Sequence, residues 1–303
     1  MNFEEIKIFL SKENLTALLY FSIKPKKTDD AYVSFCPEVS PEIIKQLIEL
    51  SKNYILQYTN FHQVTFNPTG YHDGTIETYS YQDVGNINEV LNSFDPERVE
   101  GIEDVADKFS FYCLDVQDAN DSMKIFRRVT KFKKLYSKGF LAAFEGHRLN
   151  RLDQKMLGID GDVDLVAFKN ELLIFNHTSL ERIFRINERY AAMATKAIGK
   201  LKASNKIENF DQFEEDCMND ARVQKTLTKL LREEGLFESC FNHFENIINT
   251  IDVFNLDIDV RPAPDEKIIY EDKSQLNDIL RILSDSYYKS LIRGKPGIDT
   301  NRT

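Results

Sequence analysis

The chain has 303 residues, 42% of them hydrophobic, including 22 Phe and 13 Tyr. That suffices for one large packed domain or two ordinary ones and excludes intrinsic disorder as the main state. A net charge of -10 and a pI near 5.2 argue, taken whole, against a binder of nucleic acid or of anionic membranes.

The average hides a segregation. Residues 1–123 hold 9 Lys/Arg against 21 Asp/Glu, residues 124–206 hold 18 against 8, and residues 207–303 hold 12 against 20. The local balances are -12, +10 and -8, so any contact with nucleic acid is expected in the middle of the chain.

The opening MNFEEIKIFL carries glutamates where a secretory signal would carry cations, and no apolar run approaches the roughly 20 residues that span a bilayer. Cys36, Cys113, Cys217 and Cys240 form no CxxC pair, which argues against a zinc knuckle or a disulfide framework. The expectation is a cytoplasmic protein with no direct membrane insertion. The sequons at Asn14 and Asn176 then read as chance matches.

In chain order, residues 1–12 suggest a short helix, and the apolar runs 15–23 and 31–35 suggest strands. Ser40-Pro41-Glu42 is a helix start, because Ser accepts orphan amide hydrogens, Pro suits the first turn and Glu favours the positive helix end. That helix is expected to reach about Gln57. Strands follow near 63–67, 75–81, 107–116, 124–132, 139–145, 163–168 and 172–176, with Lys169-Asn170-Glu171 as a tight hairpin. Ser179 is expected to cap one long helix to about Ala203. Beyond it come helices over 212–234 and 236–250, a strand around 253–260, and a last helix over 274–292. The fold class is α/β with a mixed α+β character. An acidic N-terminal α/β domain over residues 1–120 precedes a basic domain of sheet hairpins and helices over 121–303.

Lys124, Arg127, Arg128, Lys131, Lys133, Lys134 and Lys138 are seven cations in fifteen residues without an intervening acid, interleaved with Phe126, Phe132 and Tyr136. They form a phosphate-attracting stripe or, equally, the protective lysines of an edge strand. On a single helix, Arg182, Arg185, Arg189, Lys196 and Lys200 would fall within about a 60° sector at 100° per residue. Snorkelling stems along an apolar border are the bland alternative. A shorter stripe, Arg222, Lys225, Lys229 and Arg232, lies on the next long helix. With no zinc-finger spacing, basic zipper or RNP motif, these cations suit sequence-independent contact with the nucleic-acid backbone.

Asp160-Gly161-Asp162-Val163-Asp164 precedes a strand, as does the metal-binding Asp of restriction-endonuclease-like cores. Asp164 with Glu145 upstream could hold a metal, but Asn176-His177-Thr178 stands where that fold has Glu-x-Lys. A degenerate nuclease is therefore the alternative function, and turn acids flanking a hairpin are the structural one. No HxH, HExxH, GxSxG, P-loop or dinucleotide signature is present. No cofactor or metal is expected.

The run Asp162-Val-Asp164-Leu-Val, then Leu172-Leu-Ile-Phe-Asn176, then Leu180-Glu-Arg-Ile-Phe184, a basic long helix, and a late Asp285-Ser-Tyr-Tyr-Lys-Ser290 resembles the KwaB family of the bacterial Kiwa antiphage system. The resemblance is clearest from about residue 120 to 293 and rests on packing motifs. It implies antiviral defence together with a membrane protein, KwaA, that senses infection. It also implies binding of phage DNA so as to hinder replication and late transcription, with no metal or cofactor. A homo-oligomer and a peripheral position at the inner membrane through the partner would fit. A regulatory scaffold that does not bind DNA is the third function class.

Overall fold

The structure is a computed structural model that describes residues 3–26, 30–59, 61–70, 74–129, 141–152, 156–233 and 235–299, with the backbone alone at 141–145 and 152. Two compact units form, residues 1–66 with 73–186 and residues 67–72 with 187–303. Their boundary falls at Ile186/Asn187. The division expected at 120/121 runs instead through a hairpin of one sheet.

The first unit contains α1 (Phe3–Leu10), β1 (Thr16–Ile23), β2 (Val33–Phe35), α2 (Pro41–Leu56), β3 (His62–Thr65), β4 (Thr75–Ser80) and the short helices α3 (Tyr81–Val84), α4 (Ile87–Asn92) and α5 (Ile102–Val105). It continues with β5 (Phe111–Gln117), β6 (Ser122–Arg128), β7 (Leu141–Glu145), β8 (Arg148–Leu152), β9 (Leu165–Phe168), β10 (Glu171–Ile174) and α6 (His177–Phe184). One eight-stranded sheet runs in the order β2-β1-β5-β6-β9-β10-β4-β3, antiparallel throughout except for the parallel β3–β4 pair. β7 and β8 form a separate two-stranded ribbon.

Residues alternate between the two faces of a strand, so register decides what each face buries. Leu19, Leu114, Ile125, Val166 and Leu173 line one face and share a core with Phe9 and Leu10 of α1 and Leu47 and Ile48 of α2. The other face is aromatic. Tyr20 stacks on Phe94 with ring centroids 4.6 Å apart, and Phe126 meets Phe111 at 6.2 Å and Phe184 at 5.4 Å. Cover on both faces explains why β5 is apolar almost without alternation.

Several local signals act as expected. Ser40 caps α2, accepting from the Ile43 amide, with Pro41 as the first helical residue. Lys169 and Asn170 both take positive φ, 48° and 62°, giving the two-residue turn that matches strand twist between β9 and β10.

The second unit contains α7 (Ile186–Ser204, whose first residue closes the first unit), β11 (Ile207–Glu208), α8 (Phe210–Met218), α9 (Ala221–Arg232), α10 (Leu236–Asn242) and α11 (Phe244–Phe254). Then follow β12 (Val260–Arg261), β13 (Lys267–Ile269), α12 (Leu276–Leu283), β14 (Tyr287–Lys289) and β15 (Pro296–Ile298). Ala194, Ala197 and Leu201 of α7 share a core with Phe213, Leu227, Phe244, Ile279 and Leu283.

The expected helices here are too long. Asp220 ends the preceding turn and caps α9, accepting from the Arg222 amide at 2.9 Å, so 212–234 becomes two helices. Residues 253–260 supply the end of α11 and only the start of β12. Asp285, at φ 50°, follows the end of α12, and the aromatic pair Tyr287-Tyr288 extends as a strand against β15 rather than continuing a helix to 292.

Burial raises all four thiols above their ordinary range, Cys217 to about 12 and Cys240 to about 11. Protonated thiols are poor nucleophiles. At pH 8, iodoacetamide is expected to modify none of them rapidly in the folded protein and all four in denaturant. Rapid labelling of native Cys240 would contradict this.

Candidate functional site

The basic run beginning at Lys124 and the acidic run before β9 meet at one end of the sheet. Arg127 and Arg128, the last two residues of β6, point to opposite faces as consecutive strand residues must. On the face covered by α1 and α2, Arg127 enters a ring of carboxylates. Its Nε and Nη2 donate to the two oxygens of Asp160, each at 2.8 Å; Nη2 also donates to Asp162 at 2.9 Å, and Nη1 to Asp164 Oδ1 at 2.9 Å.

The bidentate pair with Asp160 is the strongest geometry open to a guanidinium, and it raises the Arg127 pKa, holding the group charged. The acidic loop itself is anchored. Tyr112 Oη donates to the Asp160 carbonyl at 3.0 Å, and Gly161 lies so close to α2 that an added Cβ would stand 3.1 Å from Leu50 Cβ.

Asp164 is the buried member of this cluster, at 1% exposure. Its second oxygen accepts from the Arg128 amide at 2.9 Å. The Arg128 side chain turns to the opposite face, where Nε donates to Ser179 Oγ of α6 at 2.7 Å. Both Asp164 oxygens are thus occupied by β6. Its carbonyl oxygen accepts from the amides of Phe175 and Asn176, joining β9 to the start of α6.

Glu145, the other acid of the nuclease alternative, ends β7 in the separate ribbon; its side chain lies outside the described residues. Among the described residues, no three His, Cys, Asp or Glu side chains form a group able to hold a metal ion.

Asn176-His177-Thr178, which occupies the position of a nuclease Glu-x-Lys, starts a helix. Asn176 Oδ1 caps α6 by accepting from the Ser179 amide at 3.0 Å, displacing Ser179 from its expected capping role. His177 Nε2 contacts the carboxylate of Glu77, a buried residue of β4 that the sequence reading did not single out. Asn176→Ala is expected to cost about 1 kcal/mol of stability, the usual worth of such a cap, measured as a shift in urea midpoint. An unchanged midpoint would mean that the cap contributes nothing.

The long basic helix does not exist as one element. α6 ends at Phe184, Arg185 takes a left-handed conformation at φ 52°, and α7 begins at Ile186. The physical reason is that the apolar stripe serves two cores. Leu180, Ile183 and Phe184 are buried in the first unit, whereas Ala194, Ala197 and Leu201 belong to the core of the second. The single line of five cations is therefore broken. Arg185 is buried and Arg189 half-buried, while Arg182, Lys196 and Lys200 are exposed.

Lys124 is also committed inside the fold. It stands opposite Asp115 in the β5–β6 register and contacts it at 3.3 Å, while Ser122 and Gln117 donate to the same carboxylate. Lys131, Lys133, Lys134 and Lys138 lie outside the described residues. The second stripe fares better: Arg222, Lys225, Lys229 and Arg232 all sit on the uninterrupted α9. Arg182, Lys196, Lys200 and Arg222 form no side-chain ion pair among the described residues, and all four are exposed.

Comparison with known proteins adds one positive finding. A family model described as Kiwa protein KwaB-like matches residues 106–293, from just before β5 to beyond β14. Neither a curated protein nor a solved structure matches the chain.

Proposed function

Because the chain belongs to the KwaB-like family of Kiwa proteins, we propose that it is an antiphage defence effector that binds DNA through the phosphate backbone, largely without sequence preference. One observation carries this reading. Within the family-matched region, Lys196 and Lys200 stand one turn apart on α7, exposed and outside every ion pair among the described residues, although the protein as a whole is acidic. Cations placed this way can neutralise phosphates and release condensed counterions, which gives strong binding at low salt. Arg182 is a further exposed cation of the same kind.

Occupancy is the mechanism. A protein gripping the backbone obstructs machinery that moves along DNA, which would hinder phage replication and late transcription without cleaving anything. No helix among the described residues is long and apolar enough to cross a membrane, and a membrane-embedded KwaA partner would supply any attachment. The acidic surface of residues 1–123 would face that partner or a second copy of the chain, and would repel DNA elsewhere.

Gel-shift titration of a 30-base-pair duplex against the full chain tests the proposal. Binding at low salt that is independent of duplex sequence and weakens steeply as salt rises is expected. No shift at low salt would leave a scaffold that does not bind DNA.

A further inference from the structure

A second cationic feature is built from residues other than Lys196 and Lys200. In the second unit, a cavity of about 430 Å³ is walled by one face of α9 (Arg222, Lys225, Thr226), one face of α12 (Asn277, Leu280, Arg281) and the segment Pro68-Thr69. The spacing i, i+3, i+4 repeats on both helices, so each presents a coherent face to the cavity. Three of the lining residues are cationic and none carries a carboxylate. The volume falls within the ordinary range for small-molecule pockets.

The cations are held in different ways. Arg281 Nη1 donates to Asp278 at 3.0 Å, and Asp278 also accepts from Tyr287 Oη at 2.8 Å, which fixes the guanidinium from behind. The Lys225 ammonium lies over the Tyr190 ring, 5.6 Å from its centroid. Lys229, one turn further along α9, donates to Thr69 Oγ1 at 3.3 Å and ties the third wall to the helix. Arg222 makes no side-chain hydrogen bond or ion pair among the described residues. Arg222 thus brings a positive charge with no side-chain partner among the described residues to a concavity that Lys225 and Arg281 also line, and an anion placed there would be attracted to it.

We infer that this cavity binds a small phosphorylated molecule, with its phosphate held between Arg222, Lys225 and Arg281 and its organic part against Leu280 and Pro68. Guanidinium groups from two helices suit the several oxygens of a terminal phosphate, and Asn277 and Thr69 add neutral polar groups. A continuous DNA backbone calls for a line of charge along a surface. A compact phosphomonoester can instead enter a concavity. Occupancy would also tie α9 to α12, which gives a bound metabolite a way to stabilise this unit.

Isothermal titration of the full chain with inorganic phosphate and with AMP tests the inference. Saturable binding of both at one site is expected, weakened at least tenfold in Arg222→Gln and in Arg281→Gln. Arg222→Gln should leave the thermal unfolding midpoint of the unliganded protein unchanged, since Arg222 holds nothing in place, and Lys225→Gln provides a second variant. Saturating AMP should not displace duplex DNA. Absence of saturable binding of either probe, or unaltered affinity in these variants, would overturn the inference. So would mutual displacement of AMP and DNA, which would assign the cavity to the DNA track.

Discussion

Replacing Asp164 by alanine is expected to destabilise the protein by about 3 kcal/mol or more, the scale on which breaking a buried charge pair falls. The carboxylate is buried and both its oxygens are engaged, one by the Arg127 guanidinium and one by the Arg128 amide. Alanine would leave that amide without its carboxylate acceptor and remove the innermost of the three acids around Arg127. Asp164→Asn, which keeps one acceptor oxygen, should cost less. Urea unfolding followed by far-ultraviolet circular dichroism measures both. If Asp164 instead served as a metal-binding acid in a tolerant site, its removal would leave stability unchanged or raised, because clustered acids repel each other. That outcome would contradict the assignment of the cluster as the clamp between β6 and β9.

Reversal of two exposed cations should have the opposite profile. Lys196→Glu with Lys200→Glu is expected to leave the unfolding midpoint nearly unchanged, since neither side chain enters an ion pair among the described residues. It should weaken DNA binding on the order of tenfold or more at low salt, because two counterion-releasing contacts become repulsive. Arg127→Gln should do the reverse, lowering stability through the loss of four hydrogen bonds to carboxylates and affecting DNA only as far as folding is lost. Fluorescence anisotropy on a labelled duplex, paired with unfolding curves for each variant, separates the two classes. Equal loss of DNA affinity in well-folded Arg127→Gln would show that the sheet-end arginine reaches the nucleic acid after all.

Local chemistry was legible where a short signal decides the matter. Ser40-Pro41 starts α2 and Lys169-Asn170 turns the β9–β10 hairpin as read, because capping and two-residue turns depend on residues adjacent in sequence. The segregation of charge along the chain does not keep the acidic and basic segments apart in space. Lys124 comes from the basic segment and Asp115 from the acidic one, yet they face each other across neighbouring strands. A lone acid within the apolar run 111–116 was the available clue, since buried carboxylates require partners.

The capture of Arg127 by Asp160, Asp162 and Asp164 spans 33 to 37 residues of chain, a distance that periodicity does not report. The break at Arg185 had no glycine or proline to announce it. It follows from an apolar stripe divided between two cores, which only the tertiary structure reveals. The two helix faces of the phosphate cavity were half visible in the Arg222–Lys225 spacing, but Arg281 and Thr69 reach it from distant parts of the chain.

If exposed cations of this acidic chain hold DNA by its backbone, the slope of log K against log salt registers them, because each neutralised phosphate of duplex DNA contributes about 0.9 to that slope. A steep negative slope is expected for the wild-type protein, shallower by about 2 when Lys196 and Lys200 are both replaced by glutamine. Duplexes of unrelated sequence should give the same values. A flat slope, or one that both substitutions leave unaltered, would contradict this mode of binding.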